Sequence, residues 1–98
     1  MIIVLASVTL QPGRLDEALA LSQEHVLRSR AEPGCLAHAV HADTENAHRL
    51  VFVERWADRA ALVTHFRVPA SRAFVAALAS LASAPPQMTL YEAAEFAL

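Results

Sequence analysis

Apolar side chains recur along this chain in two rhythms. Residues 2–10 (IIVLASVTL) are a nearly unbroken apolar run rich in β-branched residues and are followed by Pro12-Gly13; such a run reads as a strand buried on both faces. From Arg14 to about Ala31 the rhythm changes. Leu15, Ala18, Leu19, Ser22, Val26 and Ser29 recur at helical spacing, with Asp16, Glu17 and Glu24 on the other side. Acidic residues in the first turn and Arg28 and Arg30 in the last complement the helix dipole, and Glu32-Pro33-Gly34 stops the helix.

Period-two patterning returns weakly in 35–42 (CLAHAVHA) and clearly in 49–56 (RLVFVERW), with the polar stretch DTENAH as a hairpin-like connection. Asp58 is placed to cap a short helix running to residue 66, and Pro69 suits the first turn of another that runs to about Ala82. Phe74, Val75, Leu78 and Leu81 face inward in that last helix, Pro85-Pro86 ends it, and residues 87–96 give a final strand. The order β-α-β-β-α-β, its second helical unit broken near 67–68, defines an α+β, ferredoxin-like fold with a four-stranded antiparallel sheet and one domain over 1–98. In that plan both helical units cover one sheet face. The first strand nevertheless offers Ile3 and Leu5 one way and Ile2, Val4 and Val8 the other, so the bare face is expected to meet a second copy of the sheet in a homodimer.

Composition narrows the partners. The chain is 55% hydrophobic, more than a lone 98-residue domain hides with ease, which again favours an oligomer. A net charge of −2, with all eight basic residues Arg and scattered, excludes a nucleic-acid or anionic-membrane footprint. The opening MIIVLASVTL lacks a basic region and is too short to span a bilayer, and the single cysteine, Cys35, has no internal disulfide partner, so a cytoplasmic setting is expected. Cys35, beside Pro33-Gly34, reads as a small buried residue.

Candidate chemistry gathers in VFVERWADRAALVTHF (51–66). Strand parity puts Leu50, Phe52, Glu54 and Trp56 on one face, and helical spacing makes neighbours of Leu62, His65 and Phe66. A helix folding back over the sheet brings His65 toward that face, giving an aromatic-lined pocket with one imidazole and one carboxylate. That combination suits a flat, partly apolar ligand with an ionisable hydroxyl. The plain alternatives are that Trp56 is core, His65 a satisfied structural histidine, and Glu54 paired with backbone amides or, as an ion pair, with an Arg other than Arg55, which points to the opposite face. His38 and His41, three apart on a strand, point to opposite faces and cannot share a metal, and His48 falls in the connection. The residues display no metal constellation, no Gly-rich phosphate loop and no nucleophile elbow, so no cofactor is expected.

The opening VLASVTLQPGRLDEALAL, the turn EPGCLAHAVHAD, the strand LVFVERWAD followed by AALVTHF, and the closing QMTLYEA resemble the antibiotic biosynthesis monooxygenase (quinol monooxygenase-like) family across essentially the whole chain. The resemblance implies a dimeric α+β barrel and oxygenation of an aromatic quinol, anthrone or naphthol by O2 without metal or flavin. It also implies Trp56 as pocket wall and anion-stabilising donor and His65 as acid/base, with Phe52 and Phe66 clamping the ring; Ser7, His38, Glu54, Leu62 and Phe74 complete the expected substrate contacts. Haem-degrading relatives of the same fold carry an Asn where Ser7 stands, a departure that weakens a haem-oxygenase role. A non-catalytic barrel that binds a small aromatic ligand is the remaining alternative.

Overall fold

The computed structural model describes residues 1–98. Strand β1 (Ile2–Thr9) leads into helix α1 (Leu15–Ser29), strands β2 (Cys35–Ala42) and β3 (Arg49–Trp56), helices α2 (Arg59–Arg67) and α3 (Pro69–Leu81), and strand β4 (Gln87–Glu92). All strand pairs are antiparallel, in the order β2-β3-β1-β4, so the α+β ferredoxin-like plan predicted from the sequence is the observed one. No helix is long and apolar enough to cross a membrane.

Local chemistry accounts for the joints. The Asp58 carboxylate accepts from the Ala61 amide at 2.8 Å and caps α2. Val68, extended at φ −61° and ψ 125°, ends α2, and Pro69 opens α3 at a position where its missing N–H costs nothing. In the β2–β3 connection Asp43 and Asn46 accept from the amides of Glu45 and His48.

Helices cover one sheet face only. Even-numbered Ile2, Val4, Val8 and Leu10 are buried beneath them with Leu50, Phe52, Leu78 and Leu81, whereas Leu5 on the opposite face is 43% exposed. The first strand is thus buried on one face within a single chain rather than on both, because nothing in the chain covers the other. Register places Leu5 beside Val53 and Ile3 beside Tyr91 on that bare side. The final strand stops at Glu92, short of the expected residue 96. Its only partner is β1, and the ladder runs out where Met1 and Ala93 exchange their last hydrogen bonds. The predicted first strand likewise ends at Thr9, with Leu10 making an isolated bridge to Ala82.

Candidate active site

Strand β3 delivers its even-numbered side chains to the helix-covered face as parity requires: Leu50, Phe52, Glu54 and Trp56 are all buried. Glu54 and Trp56, two apart and therefore on the same side, touch directly. The Trp56 indole N–H donates to Glu54 Oε1 at 2.9 Å. His38 lies opposite Glu54 in the β2–β3 register, and its Nε2 sits 3.2 Å from the same oxygen, close enough for charge interaction but off the line of a hydrogen bond. Glu54 therefore has a tryptophan and a histidine where the sequence led us to expect an arginine; the nearest cation in sequence, Arg55, reaches out to Glu95. Burial is the strongest single influence on Glu54 and pushes its carboxyl up, but contacts with His38 and Trp56 and the nearby His65 outweigh it and hold the group below the usual carboxylate range.

Helix α2 lays His65 across this surface. The imidazole is 2% exposed, its ring centroid 4.5 Å from that of Trp56. Glu32, in the turn after α1, places its two carboxylate oxygens 3.0 and 3.1 Å from His65 Nδ1. A carboxylate only accepts, so Nδ1 carries a proton, and in the neutral ring Nε2 keeps the lone pair. The turn reaches α2 because residue 34 is glycine, at φ +81°. A Cβ there would fall 2.5 Å from the Ala61 Cβ.

Helix α1 contributes a group that the sequence reading passed over. His25 belongs to the buried stripe Ala18, Ser22, His25, Ser29 and lies flat on Phe74, centroids 4.0 Å apart and planes 7° from parallel. Arg28 Nη2 is 2.8 Å from His25 Nδ1. Burial, with the neighbouring His38, His65 and Arg28, pushes the His25 pKa down to about 3, so the ring is neutral at physiological pH.

Between the sheet and α2–α3 lies a cavity of about 620 Å³, lined by Phe52, Phe66, Phe74 and Val75 with Met88 of β4, and by His25, Glu54, His65 and Ser7 among its polar groups. Of the residues expected from sequence, Ser7, Phe52, Glu54, His65, Phe66 and Phe74 meet there. Three do not. Trp56, fully buried, lies behind the lining, and its one N–H is already engaged by Glu54, so it is neither the cavity wall nor a free donor to a bound anion. His38 is sealed off, with no solvent-accessible nitrogen, and Leu62 packs on Ile2, Val4 and Trp56. Cys35 is half-buried, and its thiol pKa is raised by burial and by the charges of Glu54 and Glu32, against the direction a nucleophile needs.

Against the expectation of no metal constellation, the fold makes an unforeseen grouping: one ring nitrogen each from His25, His38 and His65 lies within 4.8 Å of the others. Ring centroids 5.2–5.6 Å apart fall near the separation of roughly 5 Å that tetrahedral Zn–N bonds of ~2.0–2.1 Å impose. A carboxylate is hydrogen-bonded behind His65 and lies beside His38 without a hydrogen bond, whereas behind His25 stands the cation Arg28. The grouping has the spacing of a metal site without the full set of supporting groups.

The fold and its apolar, histidine-bearing cavity agree with the family that the sequence itself identifies. The chain belongs to the antibiotic biosynthesis monooxygenase family, whose sequence profile matches residues 1–77. Among individual relatives, the protein sll1783 of Synechocystis sp. is 34% identical over 94 residues, covering 96% of this chain; the chain spans 64% of that relative's length. "Putative monooxygenase YcnE" of Bacillus subtilis is 30% identical over 95 residues, covering 97% of this chain and all of that one. A crystal structure of an antibiotic biosynthesis monooxygenase, 30% identical, superposes with a TM-score of 0.89 over 97% of this chain and 100% of that chain.

Proposed function

We propose that residues 1–98 act as one domain of a homodimeric, cofactor-independent monooxygenase that oxidises a planar aromatic hydroxy compound of quinol, anthrone or naphthol type with O2. The observation that carries this is the Glu32–His65 pair beside an apolar, aromatic-lined cavity. Glu32 fixes the tautomer that, in the neutral ring, leaves His65 Nε2 as the base for a substrate hydroxyl, and its carboxylate holds the imidazole in place as the proton moves.

The chemistry then belongs to the substrate. The bound anion passes one electron to O2, and the radical pair joins at a ring carbon that carries hydrogen, forming a C–O bond. Loss of that C–H proton and cleavage of the O–O bond give a carbonyl and water. One oxygen atom ends in the product and one in water, and the substrate supplies every electron. Phe52, Phe66 and Phe74 hold the ring and keep bulk water from the charged intermediates.

Oxygen uptake by purified protein with naphthol, anthrone and menadiol substrates tests the proposal. Acceleration by the wild type and its loss in His65→Ala are expected. Tight ligand binding without oxygen consumption would replace it with the non-catalytic barrel, and a stoichiometric Soret-absorbing complex on haem titration would redirect it to haem degradation.

A further inference from the structure

An anion formed in the cavity needs a hydrogen-bond donor, and Trp56 cannot supply one. Arginine has five donors and no acceptor, so the 2.8 Å contact from Arg28 makes His25 Nδ1 the acceptor nitrogen. In a neutral ring the proton must then sit on Nε2. That atom has no hydrogen-bond partner within the protein and, unlike both His38 nitrogens, is not sealed from solvent, and His25 is one of the residues that line the cavity. The ring cannot easily turn away, because it is stacked on Phe74.

Two neighbouring imidazoles are thereby fixed in opposite senses. Glu32 gives His65 a bare Nε2, and Arg28 gives His25 an Nε2–H, with ring centroids 5.3 Å apart. Resting on the monooxygenase reading of this same cavity, we propose that His25 is a catalytic residue whose Nε2–H donates to the oxyanion of the bound aromatic while His65 takes its proton, and that Arg28 is the positioning residue that sets the His25 tautomer. A neutral imidazole is the better partner here: it stabilises the anion without returning a proton to it. The same tautomer opposes metal binding by the three-histidine grouping. A metal would need the Nε2 lone pair and would leave Nδ1–H facing a guanidinium.

Two measurements on the full chain test this without relying on turnover. Nitrogen-15 spectra of the histidine rings near neutral pH are expected to show His25 protonated at Nε2 and bare at Nδ1 in the wild type and in Arg28→Lys, and reversed in Arg28→Glu. Protonation at Nδ1 in the wild type, or stoichiometric Zn2+ uptake through His25 Nε2, would overturn the proposal. The second readout is the visible titration of bound 4-nitro-1-naphthol. Its ionised form is expected to be favoured by the wild type and largely by His25→Gln, which keeps a donor; the preference should fall at least about tenfold in His25→Phe, which keeps the stack but donates nothing. Equal ionisation in wild type and His25→Phe would also overturn it. With a substrate that is turned over, His25→Phe is expected to lose roughly 10²–10³-fold in kcat/KM, the size of effect seen on removing an oxyanion donor. Failure of the wild type to consume oxygen with any aromatic would defeat the monooxygenase reading while leaving the tautomer and titration readouts to stand or fall on their own.

Discussion

Glu32 and His65, 33 residues apart in the chain, meet through both carboxylate oxygens on one imidazole nitrogen, at 3.0 and 3.1 Å. Glu32→Gln preserves the shape but can turn its amide N–H toward Nδ1, favouring the wrong tautomer. His65→Ala is expected to lose about 10²–10⁴-fold in kcat, the range for a positioned base, and Glu32→Gln a smaller but clear part of that. Steady-state oxygen uptake checks both, and an unchanged kcat in His65→Ala would remove His65 from the chemistry.

Acid should destabilise this fold in two overlapping stages. His25 has an ordinary pKa of 6.5 that burial first, and then the neighbouring His38, His65 and Arg28, lower to about 3 in the folded chain. Across that window the unfolded chain binds a proton that the folded one refuses, so stability falls as pH drops. Glu54, held below its ordinary 4.5 although burial opposes this most strongly, acts in the same direction: its contribution is present above 4.5 and is lost as pH falls through the lower folded value. Urea midpoints measured from pH 6.5 down to 4.5 should decline steadily in the wild type and flatten in His25→Gln. A flat wild-type profile would contradict the burial of a neutral His25.

How far the site could be read in advance depended on whether a residue's neighbours were local. Alternation in β3 placed Phe52, Glu54 and Trp56 on one face, and helical spacing offered His65 and Phe66 to them. Depth was not legible: that Trp56 lies behind the cavity rather than in its wall depends on how α2 seats on the sheet. His25 sat within the inward stripe of α1, three residues after Ser22 and four before Ser29, and that spacing was a usable signal that its polar character obscured. Glu32 read only as part of a helix stop, because its partner arrives through tertiary packing of α2. The last strand was overextended for a related reason, since its end is set by where β1 begins.

The two glycines offer a controlled comparison. Both have φ +81°, but a Cβ at Gly13 meets nothing within 4 Å, whereas one at Gly34 meets Ala61 on α2. Gly13→Ala should cost about 1–2 kcal/mol for the backbone conformation alone. Gly34→Ala should cost more and also reduce activity, because pushing the turn off α2 separates Glu32 from His65. Thermal denaturation of the two variants with activity measured alongside distinguishes the effects, and equal behaviour would dismiss the contact.

The uncovered sheet face predicts assembly. Ile3, Leu5, Val51 and Val53 adjoin one another on it through the β1–β3 pairing, and a second sheet is the expected cover. Light scattering should give a dimer for the wild type and a monomer for Val53→Asp. A monomeric wild type at micromolar concentration would rule the arrangement out.

The chain's single tryptophan is sealed from water, bonded through its N–H to Glu54 and inclined at 35° against His65. It is therefore a native optical probe of the charge state of both groups. Its emission should sit at short wavelength, as befits a dry indole, and should dim when His65 becomes an imidazolium, a strong quencher at such range. Stopped-flow fluorescence could then follow the arrival of the substrate proton in real time, with no label introduced.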